Sequence, residues 1–191
     1  DGSIDNTSKR AASAGAKVIS KTKNEGYDEA LGCGYNYAMT NKFHIMLTID
    51  ADGQLPVSKI PHFVNEISNG SDVVIGMRKK FPRVSEWVLA KVSKILIGIE
   101  DPYCGMKAYN LTVCSEEESF NNYNSVGTDL MLTIAFKGLQ IFNMPISIKP
   151  RLSRSKFGGN ITSELRLIPS LLIGLFRMAW VFSKRLLGQS T

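Results

Sequence analysis

Short apolar runs alternate with helix-forming stretches over the first half of the chain. Three runs, at residues 16–20, 43–49 and 72–76, are short, mostly apolar and bounded by polar or turn residues, as buried strands are. Between them, residues 28–40 begin with acidic side chains and residues 56–69 begin with proline, two features of helix starts. The alternation predicts an α/β domain with a mostly parallel sheet flanked by helices.

Further elements follow from the same pattern. Helices are predicted at residues 8–14, 84–97 and 127–136. Residues 104–109 are predicted to form a strand, and residues 139–148 a strand or a hairpin. Pro145 has no backbone N–H to give to a second neighbour, so it limits this last strand to the edge of a sheet.

The composition is that of an ordinary globular domain. Of the 191 residues, 43% are hydrophobic and 21% are charged, which excludes collagen-like, low-complexity and disordered classes. No apolar run reaches the roughly 18–20 residues that span a bilayer, and the polar start has no signal-peptide pattern. The three cysteines form no CxxC pair and there are two histidines, so a disulfide framework and a zinc site are disfavoured and a cytoplasmic location is expected.

Positive charge is concentrated at the C-terminal end. The formal net charge is +6, and residues 149–191 carry eight of the 23 Lys and Arg residues but only one, Glu164, of the 17 Asp and Glu residues. A basic end of this kind indicates an anionic partner, which is a phosphate-bearing substrate, a membrane surface or a nucleic acid. Nucleic acid is the least favoured, because the basic residues are interleaved with an apolar face and not with stacking aromatics.

The most informative short segment is Asp50-Ala51-Asp52-Gly53-Gln54. Two carboxylates one residue apart, directly after a predicted buried strand, can reach one hard cation together, and Gln54 can add a neutral oxygen. A Mg²⁺ or Mn²⁺ ion held there would bridge a diphosphate and neutralise the charge that develops as it leaves. From this segment alone, an acidic loop at a strand end without a ligand is the favoured alternative.

Six segments in chain order match the landmarks of one enzyme family. They are residues 1–7 (DGSxDxT), Asn24-x-Gly26, residues 50–54 (DxDxQ), residues 72–78 (DVVIGSR, with Met77 for Ser), residues 101–109 (D-x-x-C/S-G-F-K/R-x-Y) and residues 151–158 (R-x-G-x-S-R/K-F-G, with Ser153 for Gly). The ordered set resembles the inverting nucleotide-diphospho-sugar glycosyltransferases. Within them it is most similar to the dolichyl-phosphate mannosyltransferase and polyprenyl-phosphate glycosyltransferase branch.

The resemblance implies a GT-A-like, Rossmann-related catalytic domain at residues 1–158. It implies a nucleotide-diphospho-sugar donor, a Mg²⁺ or Mn²⁺ ion, and a lipid-phosphate or glycan acceptor. By position, the metal ligands would be Asp50, Asp52 and Gln54. The residues that bind the nucleotide sugar would be Asp1, Asn24, Gly26, Asp50 and Arg78. The residues that face the acceptor or the diphosphate would be Arg151, Ser155 and Lys156, for which a solvated loop is the alternative.

The kind of acceptor decides whether the reaction needs a base. A lipid phosphate is already anionic, whereas a sugar hydroxyl has to lose its proton to a group within hydrogen-bond reach. The resemblance places an acidic residue near the acceptor at Asp129, which is the candidate catalytic residue. A carboxylate that stabilises a helix N-terminus is the alternative role for Asp129.

Residues 159–191 are predicted to form a basic amphipathic helix. Cationic residues fall near one helical stripe, apolar residues cover most of the remainder, and Trp180 suits a membrane interface. The protein is therefore expected to be peripheral on the cytoplasmic face of a membrane. The alternatives are a helix that covers the domain's own core and a seam between two subunits of a homo-oligomer.

Two other functions compete with transfer of a sugar. A sugar-nucleotide nucleotidyltransferase has a similar fold but needs a Gly-rich phosphate loop with an embedded Arg near its start, and this chain has none there. A non-catalytic or inactive fragment is the second rival. Because family members carry a strand, a helix and a strand before the DGS turn, the chain is expected to be N-terminally incomplete, poorly soluble and weakly active.

Overall fold

The computed structural model describes residues 1–81, 83–114 and 137–150, together with Phe176, Ala179 and Ser183. Within these residues the helices are α1 (Thr7–Ser13), α2 (Tyr27–Thr40), α3 (Ile60–Ser68) and α4 (Val84–Ile97), with short 3₁₀ turns at Val57–Lys59 and Leu111–Val113. The strands are β1 (Ile45–Thr48), β2 (Val73–Arg78), β3 (Lys107–Asn110) and β4 (Ile141–Ile146). The predicted α/β class is confirmed.

The four described strands form one mixed sheet in the order β1-β3-β2-β4. β4 runs parallel to β2, while β3 runs antiparallel to both β1 and β2. Three strands therefore share one direction, as a mostly parallel sheet requires, but the strand between β1 and β2 is reversed. Pro145 lies in β4 at an edge of this described sheet, opposite Met77, as predicted.

The reversal of β3 has a visible cause. After α4 ends at Gly98, the chain runs back to the carboxyl end of β2, where Asp101 accepts hydrogen bonds from Arg78 and the carbonyl of Met106 accepts one from the N–H of Gly76. β3 therefore starts at the edge where β2 ends, and it has to run in the opposite direction. Local sequence pattern carries no information about such a return.

Two other sequence predictions differ from the structure. Residues 16–20 form no strand, because they pair with none of the strands in the described part of the chain. β1 is half-buried and not fully buried, since it lies at an edge and pairs with β3 alone among the described strands. The helix predicted at residues 127–136 lies outside the described residues, as does the boundary predicted between residues 158 and 159.

Two apolar cores, one on each face of the sheet, hold the layers together. Tyr35 of α2 and Leu89 of α4 pack with Val73, Ile75 and Tyr109 on one face. On the other face α3 packs through its buried apolar side chains, and the members of this second core are Leu55, Phe63, Ile67, Val74, Cys104, Met106, Ala108, Met144 and Ile146. The carboxyl ends of β1, β2 and β4 and the start of β3 meet at one end of the strands, called here the site edge.

In the described part of the chain, no helix has both the length and the hydropathy to cross a membrane.

Candidate active site

The predicted carboxylate pair lies at the site edge, in the turn that follows β1. Oδ1 of Asp52 accepts a hydrogen bond from the backbone N–H of Gln54 at 3.0 Å, which closes the turn. The side-chain Nε2 of Gln54 donates to the backbone carbonyl of Lys149 at 3.2 Å. The backbone N–H of Lys149 donates to the backbone carbonyl of Gln54 at 2.9 Å. The turn is therefore tied both to β1 and to the segment after β4.

Gly105 forms a cradle for the Asp50 carboxylate. A Cβ atom at position 105 would lie 2.2 Å from Oδ2 and 2.6 Å from Cγ of Asp50, distances that non-bonded atoms do not adopt. The hydroxyl of Thr48 donates to the carbonyl of Gly105 at 3.0 Å and holds this backbone against the end of β1. Asp50 is thus packed directly on a backbone segment that only glycine allows. The sequence marked Gly105 as a motif letter without assigning it a role.

Tyr27, at the start of α2, joins the carboxylate pair to the preceding loop. Its hydroxyl donates to Oδ1 of Asp50 at 3.3 Å. Burial raises the pKa of Tyr27, and the charge of Asp50 raises it further, so the phenol stays protonated and able to donate at neutral pH. Sequence reasoning missed Tyr27, although its place directly after the Asn24-x-Gly26 landmark was a signal.

Asp1 links the loop before α1 to the loop before α2. Its carboxylate accepts hydrogen bonds from the N–H groups of Glu25 at 2.9 Å and Gly26 at 3.0 Å. Gly2 has a φ of 61°, and a Cβ there would lie 2.4 Å from the backbone nitrogen of Asn24, so this close approach requires glycine. The structure therefore brings Asp1, Asn24 and Gly26 together, and Tyr27 links them to Asp50.

A cavity of about 180 Å³ opens beside these loops. Its walls come from the first loop, the extended residues after α1 and one side of α2, and they comprise Asp1, Lys17, Ile19, Lys21, Ala30, Cys33 and Gly34. Lys21 is held by Glu25 and Glu29, the latter at 3.7 Å. The cavity combines an apolar wall with two lysines and the Asp1 carboxylate.

Arg78 lies at the end of β2, where it is held by two buried carboxylates. Its Nε and Nη2 donate to Oδ2 and Oδ1 of Asp101 at 2.6 and 2.8 Å, and Nη2 also donates to Glu86 at 2.9 Å. Burial lowers the pKa of Arg78, but the hydrogen bond and charge of Asp101, with the charge of Glu86, outweigh burial and leave the pKa above its ordinary value. The nucleotide role of Arg78 stays a prediction, and the structure adds that its guanidinium braces the site edge.

Lys107 is a buried lysine in β3, the strand that pairs with β1. It is 3% exposed and lies in β3 between Thr48 of β1 and Ile75 of β2. Burial lowers the pKa of Lys107, and the negative charges of Asp101 and Asp50 act in the opposite direction. Burial is the larger effect, so the pKa of Lys107 lies below its ordinary value.

The donor set fits a hard divalent cation that shares its coordination with a ligand. In the described residues there is no group of three or more His, Cys, Asp and Glu side chains that could enclose a metal by itself. Two carboxylates and one amide oxygen are the set with which proteins hold Mg²⁺ when substrate phosphates supply further oxygens. Asp50, Asp52 and Gln54 therefore fit a metal that arrives with a diphosphate, and their role as ligands stays a prediction.

Four predicted site residues lie outside the described residues. They are Asp129, Arg151, Ser155 and Lys156. The predicted helix at residues 159–191 is described only at Phe176, Ala179 and Ser183, each helical and exposed. Their functional roles stay predictions.

The fold defines a GT-A-like class. The chain superposes on glucosyl-3-phosphoglycerate synthase from Mycobacterium tuberculosis, crystallised with Mn²⁺ and uridine-diphosphate-glucose, with a TM-score of 0.64 and 22% identity, over 93% of this chain and 66% of that one. At this identity the likeness concerns the fold.

The family follows from the sequence itself. Residues 1–112 match the model of glycosyl transferase family 2, and the chain belongs to this family, as the ordered motifs predicted. It is 27% identical over 166 residues to the dolichyl-phosphate hexose transferase of Haloferax volcanii, covering 82% of this chain and 71% of that protein. It is 33% identical over 136 residues to the dolichol-phosphate mannosyltransferase of Pyrococcus furiosus, covering 64% of this chain and 37% of that protein.

Proposed function

We propose that the protein transfers a sugar, with inversion, from a nucleotide-diphospho-sugar to a polyprenyl or dolichyl phosphate, using Mg²⁺ or Mn²⁺. The observation that carries the proposal is the site edge, where Asp50 rests on Gly105 and faces the loop pinned by Asp1. Two relatives named as lipid-phosphate sugar transferases support the acceptor class. A glycan is the other acceptor that the motifs allow.

In this proposal, different residues of the chain bind the donor and the acceptor. Asp1, Asn24 and Gly26 shape the loop that would receive the nucleotide, and Asp50, Asp52 and Gln54 would hold the metal. A divalent ion bound there supplies positive charge to the departing diphosphate. Arg78 belongs to the same edge, and Arg151, Ser155 and Lys156 are proposed to face the phosphates of the acceptor or the donor.

The reaction exchanges one bond to the anomeric carbon for another. An oxygen of the acceptor phosphate forms a bond to that carbon, the bond to the diphosphate breaks, and the nucleoside diphosphate leaves with the electron pair. Because the acceptor phosphate is already anionic, no proton has to move in this step. With a hydroxyl acceptor, Asp129 is the proposed base. The proposed location is the cytoplasmic face of a membrane, and a homo-oligomer is compatible with it.

A sugar-nucleotide panel tests the proposal. Calorimetry with and without Mn²⁺ should show at least one nucleotide sugar whose binding needs the metal. The same donor, radiolabelled in the sugar, should then label a short-chain polyprenyl phosphate and leave an oligosaccharide unlabelled. Absence of nucleotide binding in the presence of Mn²⁺ would contradict the proposed function, and label in the oligosaccharide alone would reassign the acceptor.

Replacing Asp52 with Asn should remove metal-dependent binding and leave the fold intact. Asn keeps the oxygen that accepts the hydrogen bond from Gln54 but lacks the charge that a hard cation needs. The expected result in calorimetry is loss of the Mn²⁺-dependent part of nucleotide affinity, with an unchanged melting temperature.

The matched control for this variant is Glu66→Gln. Glu66 lies in α3 near the edge where β2 begins, away from the site edge, and its substitution removes the same charge. Equal loss of affinity in both variants, or none in either, would remove Asp52 from the proposed metal ligands.

A further inference from the structure

Helix α4 has two apolar faces, of which the sheet covers one. Leu89, Ala90 and Ile97 are buried on the inner face. The opposite face, called here the α4 outer face, consists of Val84, Trp87, Val88, Lys91 and Ile95, all exposed. Their spacing of three, four, seven and eleven residues from Val84 places them on one stripe of a helix that turns every 3.6 residues. Four of these five side chains are apolar, and Lys94, seven residues after Trp87, borders the stripe.

The exposure of these apolar side chains is large. Val84 is 73% exposed, Trp87 50%, Val88 37% and Ile95 78%, so no other described residue covers the stripe. Several exposed apolar residues on one face of a helix mark a place where something binds, whereas a single exposed apolar residue does not. Tryptophan on such a strip is typical of a surface that sits partly in hydrocarbon and partly in water.

The charges around the stripe are positive. Lys79 and Lys80, just before α4, are exposed and form no ion pair within the described residues, and Lys91 lies on the stripe itself with its ammonium 5.9 Å from the centre of the Trp87 ring. Glu86, the acidic residue in the first turn of α4, is 4% exposed and turned inward toward Arg78. The outward charge near the stripe therefore complements an anionic surface.

The stripe is anchored to the site edge. Glu86 bonds to Arg78 at the carboxyl end of β2, so the first turn of α4 lies beside the proposed catalytic site. A surface that docked through Val84 and Trp87 would stand next to the place where the acceptor has to arrive. An acceptor carried on a lipid would reach the site from that surface without leaving its membrane.

We propose that the α4 outer face docks on an anionic lipid membrane, with its apolar side chains in the interface and Lys79, Lys80 and Lys91 against the head groups. The choice of a membrane as partner rests on the proposed lipid-phosphate acceptor. The docking itself is measured without donor or acceptor, so its failure and the failure of sugar transfer are told apart.

The test uses the full chain with Trp180→Phe, which leaves Trp87 as the one tryptophan. Vesicles of phosphatidylcholine with about 30% phosphatidylglycerol, which gives them a negative surface, should shift the Trp87 emission to shorter wavelength, and brominated lipids should quench it. Vesicles of phosphatidylcholine alone should do so much less. All variants keep residues 159–191, so a difference between variants reports α4.

A matched pair of substitutions completes the experiment. Val84→Glu and Ile95→Glu should each weaken vesicle binding at least about tenfold, the factor expected when one aliphatic side chain no longer leaves water. Val57→Glu places the same charge at a position that is 67% exposed outside α4, and it should leave binding unchanged. An unshifted Trp87 emission, or equal weakening in the control, overturns the proposal. A concentration-dependent dimer that Val84→Glu abolishes, without vesicle binding, would overturn it in favour of a second copy of the chain.

Discussion

Replacing Gly105 with Ala is expected to lower sugar transfer on the order of 100-fold, the cost of a misplacement of about 1 Å at a reacting site. The added methyl would lie 2.2 Å from Oδ2 of Asp50, so either the carboxylate or the backbone of residue 105 has to move. Both are fixed, because Thr48 holds the carbonyl of Gly105 and Tyr27 holds Oδ1 of Asp50. Mn²⁺-dependent nucleotide affinity, measured by calorimetry, should fall with the transfer rate.

Gly32→Ala is the control for this substitution. Gly32 lies in α2, and a Cβ there meets no atom within 4 Å, so alanine should stabilise the helix by about 1 kcal/mol and leave binding unchanged. If Gly105→Ala bound Mn²⁺ and nucleotide as tightly as the unchanged protein, that result would contradict the close contact between Gly105 and Asp50.

Replacing Arg78 with Leu is expected to cost about 3–5 kcal/mol of the free energy of unfolding, because it leaves the buried Asp101 carboxylate without its paired guanidinium, while Glu86 keeps Arg83. Asp101 is 1% exposed and accepts two hydrogen bonds from this guanidinium, and Glu86 is 4% exposed. Arg78→Lys should recover only part of the loss, since an ammonium cannot bond to both oxygens of Asp101 in a fork. Urea unfolding measures both variants.

Lys94→Ala provides the contrast for Arg78→Leu. Lys94 pairs with Glu100 at 3.0 Å, with 56% and 33% of the two side chains exposed, and an exposed pair of this kind contributes at most about 1 kcal/mol. An Arg78→Leu protein could unfold at the same urea concentration as Lys94→Ala and yet no longer bind nucleotide. That result would indicate that Arg78 binds the donor and does not stabilise the end of β2.

The sequence offered candidate site residues within single motifs, and it missed the contacts between motifs. Asp50, Asp52 and Gln54 were predicted as metal ligands from a carboxylate pair after an apolar run together with the ordered motifs, neither of which needs the tertiary structure, and that role stays a prediction. Gly105 has a role only because β3 brings it against Asp50, across 55 positions of the chain. No local pattern carries that information.

The fold shows the same division. Helices α2 and α4 were predicted nearly to their ends, because acidic first turns and apolar spacing are local signals. The direction of β3 was not predicted, since it depends on the strands with which β3 pairs, and both partners, β1 and β2, are distant from it in the sequence. Residues 16–20 have strand-like composition, yet a strand also needs a neighbour, which composition cannot supply.

The reversed strand β3 also sets the order in which the protein can acquire its site. Asp50 meets Gly105 only after β1 has paired with β3, and Gln54 meets Lys149 across 95 residues only after β4 has joined β2. Such non-local closures are slow, because loop entropy is lost before any contact forms. A folding intermediate that holds only β1 with α2 or α3 would carry both carboxylates but no cradle for them. Nucleotide binding during refolding should therefore recover more slowly than helix content. It reports the time at which β1 has paired with β3 and β4 with β2.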